Sequence, residues 1–100
     1  MALTFNTDIE MSNGITISGA YGRVGVADNI AGDSLQQIVE IFVSEAAFLA
    51  GKQPITVEGL VTTSQTPYDR TTDGSDVLAL AHANLKAQLA DQGYDTNIVL

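Results

Sequence analysis

Cysteine is absent from the 100 residues of the chain, and this absence removes disulfide bonds and thiolate chemistry from consideration. Histidine occurs once, at His82, so no second histidine or cysteine can complete a zinc site of the usual kind. No serine stands in the G-x-S-x-G pattern of a nucleophile elbow. We therefore expect no catalytic residues, no cofactor, no bound metal and no small-molecule substrate.

Basic residues are also scarce. The chain has four of them against twelve acidic residues, which gives a formal net charge of −8. The four lie singly along the sequence, at Arg23, Lys52, Arg70 and Lys86. Nucleic acids and anionic membranes are bound by clustered Lys and Arg, so we expect neither as a partner.

Long apolar runs are missing as well, since none approaches the roughly 18 residues of a membrane-spanning helix. The opening MALTFNTDIE has neither the basic nor the apolar region of a signal peptide. The composition is nevertheless 45% apolar and only 16% charged, which favours a folded chain over a disordered one. A length of 100 residues suits one domain, so we assign residues 1–100 to a single β-rich domain.

Alternating apolar and polar residues open the chain. Apolar side chains occupy odd positions from Leu3 to Met11, which predicts a half-buried strand. Asn13-Gly14 predicts a two-residue hairpin turn, after which Ile15 resumes the alternation inward. The apolar positions later change parity, and this change predicts a bulge or bend near Gly22.

Residues 35–44 are apolar on both faces, which predicts a central or covered strand. Ser44 then caps a predicted helical turn that Gly51 ends. Residues 54–63 predict another strand, with Val61 among its inward residues, and residues 63–75 read as a loop.

One helix is predicted over residues 76–92, capped by Ser75, stopped by Gly93, and followed by a short strand at 97–100. Its apolar stripe contains Leu78, Ala81, Leu85 and Leu89. The fold class is therefore α+β: an antiparallel β-sheet or β-sandwich of about four long strands with one C-terminal α-helix packed on it.

Two groups of polar residues invite a chemical interpretation. His82 flanks the apolar stripe and lacks a partner residue, which favours a structural or surface role. Aspartates at 69, 73 and 76 surround Gly74, but the calcium-loop spacing and its terminal Glu are missing. Turn and cap functions account for these aspartates more simply and are the favoured interpretation, and calcium binding stays open as the alternative.

Protein contact is the better-supported activity. One helix cannot cover both faces of a four-stranded sheet, so an apolar face should meet another subunit unless the sheet curls on itself. Exposed sheet edges could also accept a partner strand. Aromatic residues and arginine are enriched at interfaces, although the aromatic residues could equally cover the core edge. The candidate interface residues are Ile38, Phe42, Tyr68, Arg70 and Tyr94.

Four segments, in chain order, carry a resemblance: MALTF, the NG turn with ITISGAYGRV, IVEIFVSEAAFLAGKQPI, and ALAHANLKAQL. Together they resemble small structural proteins encoded among the virion genes of tailed bacteriophages. The resemblance implies a non-enzymatic, many-copy component of the virion, synthesised in the bacterial host cytoplasm. It implies other virion proteins and further copies of the chain as partners, and no catalytic residues.

Three functions remain open at this level. The first is a capsid decoration or cement protein that binds the major capsid protein. The second is a tail, baseplate or fibre-attachment component. The third is a host-binding adhesin module that uses Tyr68, Arg70 and Tyr94.

Overall fold

A computed structural model describes residues 2–28, 34–68 and 76–99 of the chain. In these ranges, five strands form one antiparallel sheet and two short strands form a second sheet. A long C-terminal helix packs on one face of the larger sheet. The predicted α+β fold is confirmed.

The N-terminal alternation is present as two consecutive strands, β1 (Ala2–Phe5) and β2 (Ile9–Glu10). Leu3, Phe5 and Ile9 are buried, so the predicted inward face is confirmed. Between the two strands the chain continues to bond to the C-terminal region. The Asn6 N–H donates to the Asp95 carbonyl oxygen at 2.8 Å.

The first hairpin turn has three residues instead of two. β2 pairs with β3 (Thr16–Ile17), and the Gly14 N–H closes the turn on the Met11 carbonyl oxygen at 2.9 Å. Gly14 has a φ of +87°, a left-handed conformation that glycine adopts without a Cβ penalty. The predicted two-residue turn is wrong because Asn13 does not share this positive φ. Ile15, expected inward, is exposed at the tip.

The longest ladder joins β4 (Tyr21–Asp28) to β5 (Ser34–Phe42) through eight consecutive pairs. Its register is unbroken at Gly22, so the bulge predicted there is wrong. The chain bends earlier, at Gly19, before β4 begins. Gly22 is instead required by close packing, because a Cβ there would lie 2.8 Å from Val39 Cγ2.

A short helix, α1 (Glu45–Leu49), follows β5 as predicted. Ser44 is its N-cap, and the Ser44 side chain accepts a hydrogen bond from the Ala47 N–H at 3.1 Å. The Lys52 N–H bonds back to the Ala47 carbonyl oxygen at 3.0 Å, which closes the C-terminus around Gly51.

The strand predicted over residues 54–63 is mostly absent. Ile55 makes a single bridge to Ile41, and the chain then leaves the sheet through a turn from Val57 to Leu60. Pairing with β5 resumes at β6 (Thr63–Pro67), within the segment predicted as a loop. Val61, expected inward, is exposed.

The main helix, α2, spans Val77–Asp91. Its N-cap is Asp76, whose carboxylate accepts a hydrogen bond from the Ala79 N–H at 3.1 Å; the predicted cap, Ser75, lies outside the described residues. Gly93 ends the helix as predicted, with a φ of +94°. The Tyr94 N–H bonds to the Leu89 carbonyl oxygen at 2.9 Å, which completes a Schellman motif.

The last strand, β7 (Thr96–Val99), confirms the predicted short C-terminal strand. It pairs with β1, and the order across the sheet is β6-β5-β4-β1-β7. We call the sheet face under α2 the helix face and the opposite one the outer face. The main core lies between the helix face and α2; its largest buried members include Leu3, Ile9, Ile41, Leu85 and Leu89.

Candidate interaction surface

The outer face is partly covered by α1. The Phe48 ring lies against Phe42 at 5.0 Å between centroids and against Tyr21 at 5.5 Å. The Arg23 guanidinium stacks over the same Phe48 ring at 4.9 Å. Phe42 is therefore only 6% exposed. Its expected role as an interface residue is corrected, because α1 of the same chain covers it.

Further along the same strands the outer face has no cover from α1. Ile38 is 42% exposed there, opposite Gly25 in the register and beside Thr63 of β6. Because Gly25 has no side chain, an open depression of about 380 Å³ forms around Ile38. We call Gly25, Gln36, Ile38 and Thr63 the outer-face patch. It has an apolar centre and no charged member, so it suits contact with another protein surface.

A second exposed apolar side chain belongs to α1, which stands over the other end of the outer face. Leu49 is 73% exposed, although its neighbour Phe48 packs on the sheet. Sequence reasoning missed Leu49 and Gly25. Phe48 and Leu49 are adjacent apolar residues of a five-residue helix, and the sequence alone does not show which of the two faces the sheet.

Two other predicted interface residues, Tyr68 and Tyr94, lie elsewhere. Tyr68 is 3% exposed and packs with Leu35 and Ala81 in a small cluster under α2, so its expected exposure is wrong. Tyr94 is half-buried and packs edge-on against Phe5 at 6.2 Å, where it covers the core edge. Arg70 lies outside the described residues. Of the candidates that lie within the described ranges, Ile38 alone belongs to the outer-face patch.

His82 lies in the helix–sheet interface and is 1% exposed, whereas Leu78 of the predicted stripe is exposed. Its Nδ1 lies 2.6 Å from the Leu78 carbonyl oxygen, so this nitrogen carries the proton and donates. The Nε2 atom is buried without a hydrogen-bond partner. Such a histidine fills the core, as the structural interpretation of the sequence expected.

Within the described ranges, no group of three His, Asp or Glu side chains is placed to hold a metal ion. Asp76 is engaged as the α2 cap, and the predicted aspartates at 69 and 73 lie outside those ranges. The part of the chain that the structure describes also has no helix of a length and apolarity sufficient to cross a membrane.

Side chains of α2 reach the backbone of the β6 edge. Because the Thr62 carbonyl oxygen bonds to β5, the alternation of an antiparallel ladder turns the Thr63 backbone outward. The Gln88 amide donates to the Thr63 carbonyl oxygen at 3.2 Å. Gln92 both accepts from the Val61 N–H at 2.8 Å and donates to the Val61 carbonyl oxygen at 3.0 Å. These glutamines occupy backbone groups that a partner strand would use.

A side chain of α2 also reaches the backbone of the β7 edge. The Asp95 carbonyl oxygen bonds toward β1, so the Thr96 backbone points outward by alternation. The Lys86 ammonium donates to the Thr96 carbonyl oxygen. A lysine at an edge strand opposes the addition of another strand. The two edges are thus less suited to a partner than the outer face.

Negative charge lies mainly away from the outer-face patch. Eight of the carboxylate side chains that the structure describes are exposed: Asp8, Glu10, Glu40, Glu45, Glu58, Asp76, Asp91 and Asp95. Of these, Glu40 lies on the outer face, opposite Arg23 in the register, and Glu45 begins α1.

Comparison with known protein families, curated proteins and solved structures gave no match.

Proposed function

We propose that this chain is a non-enzymatic structural protein of a tailed-phage virion, and specifically a capsid decoration or cement protein that binds the major capsid protein. The observation that carries the proposal is the outer-face patch. An apolar, uncharged surface around Ile38 remains open on a chain whose own helix α2 already engages part of each sheet edge. Such a chain can contribute to an assembly through a face of its sheet.

The resemblance of four sequence segments to small virion proteins supplies the biological setting. Small size and a net charge of −8 suit a subunit on the outside of a particle, where charge keeps the surface soluble. A tail, baseplate or fibre-attachment component remains the second candidate, because the same patch serves either location. The adhesin candidate is less favoured, since Tyr68 is buried and Tyr94 packs on Phe5.

Quantitative mass spectrometry of purified particles tests this function. The chain should be present at hundreds of copies per particle if it decorates the capsid, a rough expectation from symmetric assembly. Tens of copies or fewer would favour the tail component instead. Absence of the chain from particles that are intact and infectious would refute both virion functions.

A second arm measures binding to shells assembled from the major capsid protein alone. The purified chain should co-sediment with these shells until their sites saturate. Failure to co-sediment, combined with high abundance in the particle, would refute the assignment to the capsid surface.

A further inference from the structure

The tip of the first hairpin carries the one Asn-Gly pair of the sequence, Asn13-Gly14. Both residues are exposed, and a Cβ added at Gly14 would meet nothing within 4 Å. The hairpin is small, because β2 and β3 contribute two residues each and form a sheet of their own. A two-stranded hairpin has little stability of its own, so its turn can open without unfolding the domain.

The Asn13 side chain is folded back over this turn. Its Oδ1 atom accepts a hydrogen bond from the Ile15 N–H at 3.1 Å. The ring that this bond closes contains both the Asn13 Cγ carbon and the Gly14 nitrogen, so these two atoms are held close together. The same N–H polarises the side-chain carbonyl and is placed to stabilise negative charge on Oδ1, as the donors of an oxyanion hole do.

We propose that Asn13 is a site of self-modification, at which the chain converts this asparagine into aspartate and isoaspartate through a cyclic succinimide. The Gly14 nitrogen attacks the Asn13 Cγ carbon, a new C–N bond forms, and the bond from Cγ to the side-chain nitrogen breaks. The Gly14 nitrogen loses its proton and the departing amide takes one up, so ammonia leaves. Water then opens the succinimide at either carbonyl, which gives the two products. Glycine permits the close approach because it has no Cβ.

One contact of the folded turn slows this reaction. The Gly14 N–H donates to the Met11 carbonyl oxygen at 2.9 Å, so the attacking nitrogen is engaged until the turn opens. Breaking one backbone hydrogen bond of ordinary strength corresponds to a rate lower by roughly threefold to tenfold. The fold therefore sets the rate of the modification and does not prevent it.

The other asparagines are less suited to the reaction. Those in the described ranges are Asn6, Asn84 and Asn97. Each precedes a branched residue, whose side chain crowds the attacking nitrogen, and each side-chain amide donates to another side chain. Asn29, outside those ranges, also precedes a branched residue in the sequence. Modification should therefore begin at Asn13.

The two products should affect the hairpin differently. Aspartate keeps an oxygen that can accept from the Ile15 N–H, so the turn is preserved. Isoaspartate adds a methylene group to the backbone of a turn whose ends are joined by the Met11 N–H and the Ile15 carbonyl oxygen at 2.7 Å. That product should loosen the hairpin. Both products add one negative charge to a chain whose net charge is −8.

Incubation of the full chain at physiological temperature and mildly alkaline pH tests the proposal, with anion-exchange chromatography and peptide mass mapping as the readouts. A more acidic species should accumulate, with the new carboxylate at position 13. Part of it should be a substrate for enzymatic methylation of isoaspartate, and hydroxylamine should trap the succinimide by cleaving the chain between residues 13 and 14. Modification that begins at another asparagine would overturn the proposal. So would an Asn13 that stays intact in the folded chain while the chain unfolded in guanidinium chloride is modified.

Asn13→Gln is the decisive variant, because the longer side chain must close a larger ring and does so far more slowly. It should lose the acidic species, whereas Asn97→Gln, a matched change at another exposed asparagine, should retain it. Equal acidification of the two variants would refute the assignment of the site. The unfolded chain should react roughly threefold to tenfold faster than the folded one. A folded chain that reacts faster would contradict the effect assigned to the Met11 hydrogen bond. None of these outcomes depends on the proposed virion function.

Discussion

Replacing Gly22 with alanine tests how closely β4 and β5 pack on the helix face. The new Cβ would lie 2.8 Å from Val39 Cγ2 and 3.6 Å from Leu3 Cβ. Val39 is buried and β-branched, so it cannot turn away without strain. Overpacking of this kind costs about 1–3 kcal/mol, whereas the lower entropy of the unfolded chain returns about 0.4–1 kcal/mol. We expect a net loss of about 1–2 kcal/mol.

Urea denaturation followed by circular dichroism measures this loss, and the melting temperature should fall by roughly 5–15 °C for a domain of this size. Gly25→Ala is the control, because its Cβ would lie 3.3 Å from Ile38 Cγ2, a half-exposed side chain that can shift. Its stability should stay within about 0.5 kcal/mol of the wild type. In a Val39→Ala background the penalty at Gly22 should disappear. A Gly22→Ala protein as stable as the wild type would refute the close packing described here.

Two further predictions concern α2. Gln92→Ala should lower the free energy of unfolding by about 0.5–1.5 kcal/mol, because the Val61 N–H loses its bond to the Gln92 side chain whereas the Val61 carbonyl oxygen keeps the Gln88 amide as a donor. Amide exchange at Val61 should accelerate, and unchanged exchange would contradict the contact. Leu85→Ala should cost about 2–5 kcal/mol in thermal denaturation because Leu85 is fully buried, whereas Leu78→Ala at an exposed position should cost under about 1 kcal/mol; equal losses would contradict the orientation of the helix.

Features with a local cause could be predicted from the sequence. The inward series from Leu3 to Ile9, the cap at Ser44 and the stop at Gly93 each depend on residues within a few positions. Period-two burial and helix capping are properties of short segments. The same is true of β5, whose two apolar faces correctly indicated a covered strand, with α2 over one face and α1 over part of the other.

Features that depend on distant parts of the chain could not be predicted. The polar sequence of β6 predicts a loop, because its hydrogen-bond partners lie in β5 and α2, far away in the chain. The Gln37 side chain of β5 donates to the Ser64 hydroxyl at 2.6 Å, and the Asn84 side chain of α2 donates to the Thr66 hydroxyl at 3.2 Å. Tyr68 was expected to be exposed because nothing near it in the sequence reveals the cluster under α2. The candidate surface could not be predicted either, because locating it requires knowing which residues lie on each face of the sheet and which helix covers them.

The copy number of outer-face variants in purified particles tests the central claim most directly. Particles assembled with Ile38→Lys should contain far fewer copies of the chain than particles assembled with Ile15→Lys, which should match the wild type. Both substitutions add one positive charge at an exposed isoleucine, so they differ only in location. Equal copy numbers for the two variants would contradict the claim that this chain assembles through its outer face.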